Sequence, residues 1–228
     1  MKTVKDIYDF FHQFPDKDKN SASLMEFLET IPGFSETVSS EKGMSSINMS
    51  IGKEYLKICE QMEDDNLLIK VKEASILKID PQYIAVDKVN FSNPEEFIQE
   101  LDYGVYDFKY RGFAYTRSCF ENSVLPIVGK NRITGDEDMG TCYYIGNNLF
   151  VTAAHCVKGL KYFNILCPDN SPVELESVWY TKGEDLNDYD LAIIKSKNVP
   201  MDIKAFKLKD PFILNDVLTM GYPLIPGL

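Results

Sequence analysis

The sequence predicts an α+β protein of more than one domain: a small helical domain followed by an antiparallel β-barrel. Three observations predict it. The 228 residues suit two domains of about 100–150 residues each better than one. Apolar residues recur at helical spacing up to about residue 64, whereas short apolar runs broken by turn residues dominate from about Ser123 onwards. The hydrophobic (44%) and charged (26%) fractions are those of ordinary globular chains, which excludes a disordered, collagenous or coiled-coil protein.

Val4, Ile7, Tyr8, Phe10, Phe11 and Phe14 fall at helical spacing, and Pro15 ends that run. Ser21 or Ser23 can cap a second helix carrying Leu24, Phe27, Leu28 and Ile31, closed by Pro32-Gly33. The Ser-rich stretch 35–48 predicts a loop. A third helix is expected from about Ser50 to Asp64, with Ile51, Tyr55, Ile58, Cys59 and Met62 along one face. Leu67–Val71 and Ile76–Ile79 read as short strands, and Tyr83–Val86 continues after Pro81. Three helices followed by a two-stranded hairpin resemble a winged helix, so residues 1–88 are expected to form a winged-helix-like regulatory or interaction domain.

Winged helices often read DNA with the third helix. Here that helix sets Lys53 and Lys57 against Glu54, Glu60, Glu63 and Asp64, and residues 1–88 hold 11 basic against 16 acidic side chains. Phosphate would be repelled, so protein contact is the favoured role and a nucleic-acid partner is disfavoured. The net charge of −11 argues the same way for the whole chain.

Residues 89–119 read as a helical, aromatic connector. Asn93 is a cap, Pro94 takes the first helical position, Glu95 and Glu96 fill the first turn, and Phe97, Ile98 and Leu101 continue the helix. Tyr103, Tyr106, Phe108, Tyr110, Phe113 and Tyr115 follow; packing against both domains explains them better than base stacking. The barrel, 120–228, is read from Val124–Val128, Tyr143–Ile145, Leu149–Thr152, Val173–Tyr180, Leu191–Ile194 and Val217–Met220. Gly146-Asn147-Asn148 makes a hairpin-like turn.

No run of about 20 apolar residues spans a membrane, and the charged N-terminus MKTVKDIYDFFHQF is no signal peptide. The expected compartment is the cytoplasm. Cys59, Cys119, Cys142, Cys156 and Cys167 are then expected to be reduced thiols. With only His12 and His155 and no Cys/His cluster, neither a metal nor a cofactor is expected.

The chemistry concentrates in two places. Leu149–Thr152 runs through the small pair Ala153-Ala154 into His155, and histidine is the natural base near neutral pH. Asp190 begins a later apolar strand, Leu191-Ala192-Ile193-Ile194. A carboxylate there is costly unless neutralised, and an imidazole Nδ1–H is a suitable partner. Asp188 is the next candidate.

Thr152-Ala153-Ala154-His155-Cys156 resembles the TAAHC motif of the trypsin-like (chymotrypsin-fold) serine protease superfamily. Asp190-Leu191-Ala192-Ile193-Ile194 is similar to that family's aspartate strand, Gly140–Ile145 to the strand before its histidine, and Gly221-Tyr222-Pro223 to an element closing the first barrel. The resemblance covers about residues 120–228 and implies the first of two β-barrels. It implies a serine-type endopeptidase acting on protein or peptide substrates, with His155 as general base and Asp190 as orienting acid. The family's G-[DNS]-S-G-[GA] nucleophile motif is not in the sequence, and Ser171 and Ser196 have no flanking glycines. The nucleophile is therefore expected beyond Leu228, the chain is read as truncated, and it is expected to be inactive alone. The alternatives are a non-catalytic protease-like binding module and a winged-helix DNA-binding regulator.

Overall fold

Thr3 starts the first helix through a reciprocal cap: its hydroxyl accepts from the Asp6 N–H, and the Asp6 carboxylate accepts from the Thr3 N–H at 2.7 Å. The fold is that of a computed structural model describing residues 1–13, 20–37, 45–72, 80–182, 189–199, 203–209 and 217–222. The expected ends at Phe14-Pro15, the strand Ile76–Ile79, Asp188 and Pro223 lie outside the described residues. The chain divides into two units, Met1–Gly112 and Phe113–Leu228.

In the first unit, α1 (Val4–His12) buries Val4, Ile7, Tyr8 and Phe11. β1 (Ala22–Ser23) leads into α2 (Leu24–Leu28), where Ser23 and Glu26 repeat the reciprocal cap. The stretch read as a loop instead pairs its two ends as a small antiparallel hairpin, β2 (Ser35–Thr37) with β3 (Ser45–Ile47). Asn48 caps α3 (Met49–Asp64), which buries Tyr55, Ile58, Cys59 and Met62. β4 (Leu68–Lys72) and β5 (Gln82–Ala85) complete a three-stranded antiparallel sheet of order β1-β5-β4.

Asn93 accepts from the Glu96 N–H to open α4 (Pro94–Tyr103), and Gly104 closes it at φ 89°. α5 (Val105–Phe120) is interrupted at Gly112, whose φ of 77° is left-handed. The stretch 94–112 supplies Phe97, Leu101 and Tyr110 to this unit's core. It also supplies buried Asp107, whose carboxylate accepts from the Val4 N–H at the start of α1 (3.1 Å) and pairs with Arg111 (3.2 Å). Arg111 continues to Glu54 and to the Lys2 carbonyl, both at 2.6 Å.

The second unit is a six-stranded antiparallel sheet: β6 (Val124–Asn131), β7 (Glu137–Gly146), β8 (Leu149–Thr152), β9 (Leu160–Ile165), β10 (Leu175–Tyr180) and β11 (Ala192–Ser196). The one-turn helix α6 (His155–Lys158) lies between β8 and β9. Strand order is β10-β11-β8-β7-β6-β9. The sheet curls into a near-barrel, because Val173, just before edge strand β10, donates to Ile165 at the end of the other edge strand (2.8 Å). Leu125, Ile127, Cys142, Phe150, Ile165 and Ile194 fill the interior.

Two strand expectations change. β9 was not among the expected strands. Val217–Met220 forms no ladder; that segment bonds β7 through side chains, with the Tyr143 hydroxyl donating to the Met220 carbonyl at 2.6 Å.

Candidate active site

Strand register brings the two candidate residues together. β8 and β11 are antiparallel with Thr152 opposite Ala192. Continuing that register two residues past each strand end sets Asp190 beside Ala154, next to His155. The Thr152 hydroxyl fixes the end of β8 by donating to the Thr141 carbonyl of β7 (2.6 Å). Ala154, in the turn after β8, is buried. The chain then enters α6, and His155 stands on its first turn rather than at the strand end itself.

Asp190 holds His155 twice. Oδ1 accepts from the His155 main-chain N–H at 2.9 Å, and Oδ2 bonds Nδ1 of the ring. Among the described residues, Nε2 has no hydrogen-bond partner. The bond from the His155 side chain, followed by that from its main-chain N–H, holds the Asp190 carboxyl below the usual carboxylate range. A carboxylate bound at Nδ1 fixes the ring tautomer and leaves Nε2 as the proton acceptor.

The surroundings differ from the sequence expectation in one respect. The Asp190 side chain is 54% exposed and that of His155 74% exposed, so the carboxylate does not suffer the burial anticipated for the start of an apolar strand. It lies two residues before β11, where water still solvates it. The bidentate hold, rather than a dry interior, gives the pair its geometry.

The serines read as poor nucleophiles sit accordingly. Ser196 is fully buried at the far end of β11, six extended residues or about 20 Å from Asp190, and its hydroxyl bonds the Asn148 carbonyl (3.2 Å). The Ser171 hydroxyl bonds Asp169 (2.6 Å). All five cysteine thiols are free. Burial pushes the Cys142 thiol well up, and the neighbouring Cys156 adds to that shift. A Cβ built on Gly140 would lie 2.9 Å from the Cys156 sulfur, so this thiol fills the space above a glycine of β7. Tyr222 donates its main-chain N–H to the Thr141 hydroxyl (2.8 Å), placing the Gly221-Tyr222 pair beside the same strand. Among the described residues no group of three or more His, Cys, Asp or Glu side chains could hold a metal ion, and no helix is long and apolar enough to cross a membrane.

Sequence reasoning missed Thr181. Its hydroxyl bonds main-chain groups on both sides of Asp190. A threonine just after an apolar run carries no local signal of that contact.

No protein-family model and no curated protein matches the chain. Among solved structures it is similar to the Rv3671c protease from M. tuberculosis in its active form, with 23% identity and a TM-score of 0.34, covering 42% of this chain and 39% of that one. It is similar to the HL collagenase structure at 19% identity and a TM-score of 0.32, covering 40% and 43%. The HtrA-type protease AlgW with tripeptide matches at 15% identity and a TM-score of 0.30, covering 42% and 29%. The chain thus spans less than half the length of each, and likenesses of this size carry no inference about activity.

Proposed function

We propose that the second unit is the base-bearing barrel of a trypsin-like serine endopeptidase. His155 accepts the nucleophile's proton at Nε2 and later returns it to the leaving amine. Asp190 keeps the ring in the right tautomer and stabilises the imidazolium between those steps. The serine and the oxyanion donors come from outside these 228 residues, so this chain alone does not turn over peptide bonds. The observation that carries the reading is the two-point hold of Asp190 on His155 with Nε2 left open. A surface pair with no chemistry to perform would gain little stability from that arrangement, since solvent screens exposed ion pairs.

Residues 1–88, within the first unit, are proposed as a winged-helix-like regulatory or interaction domain. The element order α1-β1-α2-β2-β3-α3-β4-β5, in which the β2–β3 hairpin stands between the second and third helices, and the sheet order β1-β5-β4 support that reading. The acidic side chains of α3 favour a protein partner over DNA.

A fluorophosphonate probe, applied to the intact protein and to this chain, tests the reading. The expected result is labelling of one serine outside residues 1–228, lost in His155→Ala, with none in the 228-residue chain. Labelling that persists in His155→Ala contradicts the proposal. An intact protein that neither takes the label nor cleaves casein is a binding module instead.

A further inference from the structure

The peptides on both sides of Asp190 end on one side chain. Thr181 follows β10 directly and stands opposite Leu191, continuing the β10–β11 ladder: its main-chain N–H donates to the Leu191 carbonyl at 2.9 Å. Its hydroxyl accepts from the Leu191 N–H at 3.3 Å and donates to the Tyr189 carbonyl. The Leu191 N–H belongs to the peptide plane that follows the Asp190 Cα. The Tyr189 carbonyl belongs to the plane that precedes it. Peptide planes are rigid, so a group that holds both planes fixes φ and ψ of the residue between them.

Besides the Thr181 contacts, the described hold on this segment is the Asp190 carboxylate's own pair of bonds to His155, which depends on the carboxylate being aimed correctly. Tyr189 is 82% exposed and the Asp190 side chain 54% exposed, Leu191 is half-buried, and full burial begins only at Ala192. Thr181 is itself half-buried, so its hydroxyl is not there to satisfy a sealed cavity. The main-chain bond to Leu191 would form with any residue but proline at 181. The contact to Tyr189 needs a hydroxyl on Cβ.

We infer that Thr181 is a positioning residue for Asp190: its hydroxyl sets the backbone rotation that aims the carboxylate at His155. The inference rests on the dyad reading proposed above and adds the group that keeps the dyad's acid in place. Valine at 181 keeps the branched shape that suits a strand and removes the hydroxyl. Serine keeps the hydroxyl and removes the methyl.

The test is NMR on the 228-residue chain, following the Asp190 carboxyl carbon against pH and the low-field proton on His155 Nδ1. Four forms are compared: wild type, His155→Ala, Thr181→Val and Thr181→Ser. Cross-strand amide contacts between β10 and β11 check folding, with Thr181→Ala substituted if valine disturbs them. His155→Ala should raise the Asp190 midpoint towards the ordinary carboxylate value of about 3.9. Thr181→Val should raise it in the same direction and lose the low-field proton, and Thr181→Ser should restore both. A hydroxyl-free variant with the wild-type midpoint and proton, beside a raised midpoint in His155→Ala, overturns the role of Thr181 and leaves the dyad standing. A midpoint that His155→Ala does not move overturns the dyad reading and the inference with it.

Discussion

Asp190 and His155 are separated by 35 residues, yet their pairing needs only the β8–β11 register and two short turns. The sign of the resulting pH dependence follows from the lowered Asp190 carboxyl. The folded chain holds the proton less tightly than the unfolded one, so the contribution to stability is complete above the ordinary carboxylate range, near pH 4. It is lost as pH falls through the lowered folded value. The pair is exposed and the effect correspondingly small. The urea midpoint of wild type should exceed that of Asp190→Asn at about pH 7, and the gap should shrink by about pH 3. A gap that stays constant over that interval would mean the carboxylate is unpaired in solution. The contact between the two candidate residues was legible in the sequence because their flanks carry a specific local pattern, Thr152–Cys156 and Asp190–Ile194. Thr181 was not, because its role is a contact across strands. The exposure of Asp190 was likewise misjudged: an apolar run begins at Leu191, but the ladder and the burial begin at Ala192.

At the scale of elements, the β-runs with strong alternation were legible, and so were the caps at Ser23 and Asn93, because each is a local rule. β9 escaped. Its sequence Leu-Lys-Tyr-Phe-Asn-Ile interleaves polar residues with an exposed tyrosine, and only Leu160 and Ile165 are buried. Its place is fixed by β6, where Gly129 lets the two backbones approach. A Cβ built at Gly129 would sit 2.6 Å from the Tyr162 carbonyl oxygen and 2.8 Å from the Leu160 side chain. Backbone cannot yield as a flexible side chain can, so Gly129→Ala should destabilise the barrel by about 1–3 kcal/mol or more. Chemical denaturation with β6–β9 amide exchange as a second probe measures it. Wild-type stability in Gly129→Ala would show that β9 does not pack on β6 as described. The opposite error occurred at Val217–Met220, where an apolar run with strand character bonds through the side chains of β7 and forms no ladder.

For the whole molecule, the division into a helical first unit and an all-antiparallel second unit follows from the change in apolar period along the chain. The side chains that tie residues 94–112 into the first unit were not legible, since Asp107 meets Val4 across 103 residues of sequence. Both candidate residues lie in the second unit, and there two neighbouring side chains have opposite expected roles. His155 offers an open Nε2. Cys156 fills the space over Gly140 as a free thiol and has no part in the proposed proton transfer. Replacing a general base in a triad costs several orders of magnitude in rate, whereas serine for a half-buried thiol costs packing and desolvation of about 1–3 kcal/mol. The most direct test is therefore kcat/KM on a peptide substrate for the intact protein, its His155→Ala variant and its Cys156→Ser variant, with folding checked by circular dichroism. The account predicts turnover lost in His155→Ala and largely kept in Cys156→Ser. A folded Cys156→Ser as inactive as His155→Ala, or a His155→Ala variant that retains turnover, would contradict it.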